Sequence, residues 1–138
     1  MPATALHHFT IRCTPDQLPA LVEFYTRVMR LETGARPVVP APGAWLYAEG
    51  QPIVHLYAHL DTADPPADPA TGHVDHISFR SRGLKEIREH LRRLGVPYTE
   101  APIPGWDMHQ LFLQDPRGLK IELTFWLAQE GRIEEAES

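Results

Sequence analysis

His8-Phe-Thr-Ile-Arg12 and His76-Ile-Ser-Phe-Arg80 are two versions of one pattern, with polar and apolar side chains alternating behind a histidine. His76 follows His8 by 68 positions. A second match keeps that register: Ile53-Val-His-Leu-Tyr57 and Lys120-Ile-Glu-Leu-Thr124 set His55 against Glu122, 67 positions apart. Self-similarity held over so long a span sets the architecture ahead of local propensity. Alternation with a period of two is the mark of a half-buried strand. It places Phe9 and Ile11 on one face of the first strand, and His8, Thr10 and Arg12 on the other. Ile77 and Phe79 divide from His76, Ser78 and Arg80 in the same way.

Outward from these strands, the two halves read in one order. Thr14-Pro-Asp16 caps a helix striped by Leu18, Leu21, Val22, Tyr25, Val28 and Met29, which Gly34 is expected to end. Trp45-Leu-Tyr47 and Ile53-Val-His-Leu-Tyr57 read as strands around a turn at Glu49-Gly50. In the second half, a helix from about Leu84 to Leu94 carries Leu84, Ile87, Leu91 and Leu94 and is stopped by Gly95 and Pro97. Gln110–Leu113 and Lys120–Phe125 read as strands around an Asp115-Pro-Arg-Gly118 turn. Residues 61–72 are proline-rich without apolar period and read as a linker. The expected fold class is α+β, two βαβββ modules forming a cupped mixed sheet. One domain over 1–128 is expected to hold module one at 5–60 and module two at 73–128, with an acidic, frayed tail at 129–138.

Composition narrows the function classes. The 138 residues are 43% apolar and 22% charged, which is the globular range. A formal charge of -5 argues against a nucleic-acid or anionic-membrane partner, since both select a basic face. No apolar run reaches the roughly eighteen residues that a membrane helix needs, and no secretory pattern opens the chain. The single cysteine, Cys13, excludes an internal disulfide and fits a reducing, cytoplasmic setting.

The repeat turns scattered histidines into positioned ones. His8 and His76 share one place on the first strand of each module; His55 and Glu122 share one place on the last. By parity all four point away from the apolar face that meets the helix. Paired inner faces would then converge three imidazoles and one carboxylate. That donor set suits a divalent transition metal, and two histidines with a carboxylate form the facial triad that leaves positions open for substrate or oxygen. A metal so held polarises a carbonyl or enolate oxygen, or activates oxygen or water. Glu122 lies between Ile121 and Leu123, so its strand reads as buried and its carboxylate needs a partner. His7, His59, His73 and His90 read as ordinary surface or hydrogen-bonded histidines. Cys13 has the parity of the helix face and reads as inert. His109 and Gln110 are weaker pocket candidates. Arg12 and Arg80 read equally as rim contacts for an anion or as solvated charges. Trp45, Tyr47, Tyr57, Trp106 and Phe112 line a pocket or fill core.

Four stretches together resemble the vicinal oxygen chelate superfamily, which groups glyoxalase I, extradiol dioxygenases, fosfomycin- and bleomycin-resistance proteins and methylmalonyl-CoA epimerase. They are Leu6-His-His-Phe-Thr-Ile11, Glu23-Phe-Tyr-Thr-Arg-Val-Met-Arg-Leu31, Gly72-His-Val-Asp-His-Ile-Ser-Phe79 and Leu111-Phe-Leu-Gln-Asp-Pro-Arg-Gly-Leu-Lys-Ile-Glu-Leu123. The resemblance implies paired βαβββ modules around a divalent metal (Fe, Ni, Zn, Mn or Co), commonly in a homodimer, acting on a small molecule. It matches His8, His76 and Glu122 to the family's metal ligands. His55 falls where glyoxalase I has a glutamate ligand, and so reads as a fourth ligand or, with Glu122, as a catalytic group. Extradiol dioxygenases carry a tyrosine near the position where this chain has Leu111-Phe112-Leu113. Three activities follow: a glyoxalase-type lyase or isomerase passing through an enediolate, an Fe(II) dioxygenase, and a metal-free protein that sequesters a small ligand.

Overall fold

The computed structural model describes residues 5–61, 74, 76–103 and 105–130. The chain divides into two compact units, residues 1–67 and 68–138. The expected linker beyond Asp61 and the tail beyond Glu130 lie outside the described residues, as does His73.

The first unit runs β1 (Phe9–Arg12), a helical segment, β2 (Glu32–Gly34), β3 (Gly43–Ala48) and β4 (Gln51–Tyr57). Its sheet has the order β1-β4-β3-β2, with β1 parallel to β4 and the other pairs antiparallel. This is a βαβββ module, and its strands form one four-stranded mixed sheet. The β3–β4 link is a two-residue hairpin in which Glu49 (φ 49°) and Gly50 (φ 79°) are both left-handed, the twist that suits a tight hairpin.

The helical segment is less regular than its stripe predicts. It opens with a 3₁₀ turn at Pro15–Gln17, passes into α1 (Leu18–Glu23), and closes with a π turn at Phe24–Val28. Phe24 and Tyr25 both turn inward, at i+3 and i+4 from the buried Leu21. Gly34 does not end this helix. Arg30 takes the left-handed conformation that turns the chain (φ 59°), and Gly34 lies in β2 against the Tyr47 ring. Leu21, Tyr25, Leu46, Val54 and Leu56 form the core of the unit, with Cys13 fully buried beside them.

The second unit repeats the plan as β5 (His76–Ser81), α2 (Leu84–Leu94), β6 (Thr99–Pro102), β7 (Met108–Gln114) and β8 (Lys120–Trp126). The order is β5-β8-β7-β6, again with only the first pair parallel. Leu111, Leu113, Ile121, Leu123 and Phe125 are buried on the face that α2 covers. Arg88 of α2 reaches that same face, donating to both oxygens of Glu100 at 2.9 and 3.0 Å. The β7–β8 turn is built by Asp115, whose Oδ1 accepts from Arg117 N and Leu119 N at 2.8 and 3.0 Å. Gly118 supplies the left-handed residue (φ 84°).

Both ends of α2 are closed. Gly95 is left-handed at the C-terminus and its N–H donates to Arg92 O, as the stop at Gly95 requires. Gly83 carries no capping side chain, and the Glu130 carboxylate does that work from a helical turn at 127–130. It accepts from Gly83 N at 3.0 Å and from Leu84 N at 2.8 Å. Gln129 and Glu130, grouped with the frayed tail on composition, therefore belong to the ordered unit. A carboxylate at a helix N-terminus also complements the helix dipole.

Candidate functional site

Within the first unit, Cα register places Thr10, His55 and Trp45 in one row across β1, β4 and β3. His55 points away from its buried neighbours Val54 and Leu56, as its parity requires. Its ring lies between two others: His8 stacks on one side with centroids 3.8 Å apart and planes 12° apart, and Trp45 on the other at 3.9 Å and 10°. His55 is only 8% exposed because this sandwich covers it. Its Nε2–H donates to Pro52 O at 3.0 Å, which leaves Nδ1 as the basic nitrogen of the neutral ring. Burial first, and then the nearby His8 charge, hold the His55 pKa below its usual value, with the Pro52 carbonyl acting in the opposite direction. His8 is hydrogen-bonded to His7 through their Nδ1 atoms at 2.9 Å.

The structure thus brings His8 and His55 together, but face to face. Lone pairs of an imidazole lie in the ring plane, so two parallel rings aim theirs in parallel. In this arrangement the pair does not converge on one ion. His55, its Nε2–H committed to Pro52 O, is arranged as a neutral base.

In the second unit, His76 and Glu122 stand on the open face of neighbouring strands, with His76 Nε2 3.8 Å from Glu122 Oε2. Glu122 is 7% exposed, and each of its oxygens is held. Gln110 Nε2 donates to Oε1 in a short bond. Thr124 Oγ1 donates to Oε2 at 3.1 Å. The Thr124 proton is thereby committed, so Ser78 Oγ, 2.9 Å away, donates to Thr124. The carboxylate that β8 buries between Ile121 and Leu123 has found the partners its burial demands.

This pair can share a divalent ion: ligand bonds of about 2.0–2.2 Å from nitrogen and oxygen together exceed the separation. The Gln110 and Thr124 bonds are the kind of outer support that aims a ligating carboxylate. Among the described residues, no three His, Cys, Asp or Glu side chains stand close enough to one another to form a ready ion site. On the same open face, Arg80 lies over the Trp126 ring at 4.5 Å and Lys120 over the Phe112 ring at 4.9 Å.

His109 faces the helix instead, where its Nε2 lies 3.3 Å from Arg88 Nη2. It is no part of the open face. Gln110, its neighbour, proves to be the residue that grips Glu122. Thr124 and Ser78 escaped the sequence reading. The signal was present: each shares strand parity with Glu122 or with His76.

The chain belongs to the Glyoxalase/Bleomycin resistance protein/Dioxygenase superfamily, whose model matches residues 5–123. No curated protein sequence matches it. Several solved structures share the fold. A Bacillus anthracis protein assigned to the glyoxalase family is 19% identical, with a TM-score of 0.69 over 89% of this chain and 95% of that one. Lactoylglutathione lyase from Agrobacterium tumefaciens is 18% identical, with a TM-score of 0.65 over 93% and 98%. An antibiotic-binding protein from a Streptomyces species is also 18% identical, with a TM-score of 0.66 over 91% and 98%. A lyase and a binding protein on one fold make the side chains, and not the fold, the guide to function. No helix among the described residues is long and apolar enough to cross a membrane.

Proposed function

We propose that the chain is a divalent-metal-dependent enzyme of glyoxalase type, a lyase or isomerase acting on a small molecule through adjacent oxygens. The observation that carries this reading is the Glu122 carboxylate, buried and held at both oxygens, with the His76 imidazole 3.8 Å away. Evolution of a merely structural strand has little use for a buried carboxylate, because a well-packed apolar residue is commonly as stable there. His76 and Glu122 are the proposed metal ligands of the second unit.

When bound, the metal supplies Lewis-acid polarisation of a substrate oxygen, which acidifies the adjacent C–H. His55 is the proposed proton acceptor. Its tautomer is fixed by Pro52, its basic nitrogen is Nδ1, and its lowered pKa keeps it unprotonated at neutral pH. Trp45 and His8 hold the ring plane, so the base needs no reorientation before it acts. Gln110 and Thr124 keep Glu122 from rotating, and its buried position keeps water from competing for it.

Metal content of the purified protein tests the reading, beside the His76→Ala and Glu122→Ala variants. About one transition metal per chain in the wild type, lost in both variants, is the expected result. Iron together with oxygen consumption would move the assignment to a dioxygenase. No metal after reconstitution would overturn the enzyme reading and leave a ligand-binding protein, in which His76→Ala is silent.

A further inference from the structure

The second unit contains a cavity of about 520 Å³ at the end of its sheet, where the segment after α2 runs past β7 and β8. That volume is in the range of about 300–1,000 Å³ typical of small-molecule sites. Val96 and Leu113 form apolar wall, and Tyr98 and Phe112 supply two rings. Thr99 contributes a hydroxyl, and Lys120 the one charge among the described residues that line it.

The position of Lys120 gives the cavity its chemistry. Its Nζ is held 4.9 Å over the Phe112 ring, so a cation stands against an aromatic wall. Lys120 is also the cross-strand partner of His76, and it precedes Glu122 by two residues on the same face of β8. Phe112 is in turn the cross-strand partner of Glu122. Neighbouring strands lie about 4.8 Å apart, so the cavity wall at Phe112 stands one strand over from Glu122. An ammonium over a ring is a poor place for a second cation and a good one for an oxyanion, whose own ring can stack on the same wall.

We propose that this cavity takes an aryl carboxylate, its ring against Phe112 and Tyr98 and its carboxylate paired with Lys120. The inference deepens the function proposed above by naming a substrate class, and it rests on that reading only for what happens next to the cavity. Binding itself needs no metal, which lets the two be tested apart.

The experiment is calorimetric titration of the metal-stripped full-length protein with benzoate and phenylacetate, and with benzamide as the neutral analogue. The expected result is that the carboxylates bind at millimolar concentration or better, and at least about tenfold more tightly than benzamide, the scale of one charge-assisted hydrogen bond. Lys120→Met, which keeps the length of the side chain, should remove that preference, and Lys120→Arg should restore most of it. Phe112→Ala should weaken carboxylate and amide alike. Circular dichroism of each variant confirms that it is folded. Equal binding of benzoate and benzamide, no effect of Lys120→Met, or no binding of either carboxylate would overturn the proposal. Glu122→Gln separates the two readings: it should lose metal and keep benzoate. Wild type that binds benzoate but never metal would defeat the enzyme assignment and leave the pocket standing.

Discussion

Replacing Gln110 by leucine removes one hydrogen bond and little volume, and so isolates what holds the Glu122 carboxylate. In the wild type Oε1 accepts from Gln110 and Oε2 from Thr124, while the whole residue is 7% exposed. Leucine leaves Oε1 buried without a donor. A hydrogen bond to a charged group contributes about 1.5–3 kcal/mol, and an unsatisfied buried acceptor costs an amount on that same scale. The unfolding entropy of globular proteins, scaled to a chain of 138 residues, is about 0.3 kcal/mol per degree. Gln110→Leu should therefore lower the unfolding midpoint by about 5–10 °C in the presence of a chelator. Metal affinity gives a second readout: loss of outer-shell support typically weakens binding by about 10–100-fold. A cycle with Thr124→Val should show coupling of about 0.5 kcal/mol or more, since both residues act on one carboxylate. If Gln110→Leu stays within about 0.5 kcal/mol of wild type and binds metal equally well, then Gln110 does not hold Glu122 and the ligand assignment loses its support.

Other expectations follow from the same geometry. His55 has a folded pKa below its usual value, so the unfolded chain takes up a proton first as pH falls. Its contribution is complete above about pH 6.5 and is lost as pH falls through the lowered folded value. Thermal melts across this interval should show a steeper acid-side decline in wild type than in His55→Gln; equal slopes would refute the assignment. Glu100 is held below its usual pKa by the Arg88 hydrogen bonds, so the stability that Arg88 and Glu100 share should be present above about pH 4.5 and vanish as pH falls through the lower folded value. Because that pair is partly exposed, urea denaturation of Glu100→Gln at pH 7 should show a loss of under about 1 kcal/mol. Gly43→Ala should cost about 1–3 kcal/mol by the same assay, since its new Cβ would meet Leu56 O at 2.3 Å and the strand backbone must shift; an unchanged midpoint would count against the β3 register.

What could be read in advance was set by local chemistry. Ile121, Leu123 and Phe125 alternate with Lys120, Glu122 and Thr124, and Asp115-Pro-Arg-Gly118 encodes its own turn, so β7, β8 and their link were visible. The short strands β2 and β6 were not. Thr99-Glu-Ala-Pro102 and Glu32-Thr-Gly34 have no apolar alternation, and each is defined by the neighbour that it meets elsewhere in the sequence. The π turn was hidden for another reason: Leu21, Phe24, Tyr25 and Val28 keep ordinary α-helical spacing, so nothing in the pattern marks the wider turn. In the candidate site, strand parity put His76 beside Glu122 and gave His55 its face. It was silent on ring orientation. That His8 and Trp45 would sandwich His55 depends on the side-chain torsions of three residues, which the residue pattern does not carry.

The cap on α2 bears on the order in which the protein is made. Glu130 closes the helix from 46 residues downstream of Leu84. On the ribosome the helix emerges long before its cap, and at about 5–20 residues per second that interval lasts some seconds. Throughout it, the first turn of α2 has bare N–H groups and no capping side chain of its own. Docking of 127–130 is then the last local event of this unit, and chains released before Glu130 should leave α2 open at its leading end and exposed to proteases.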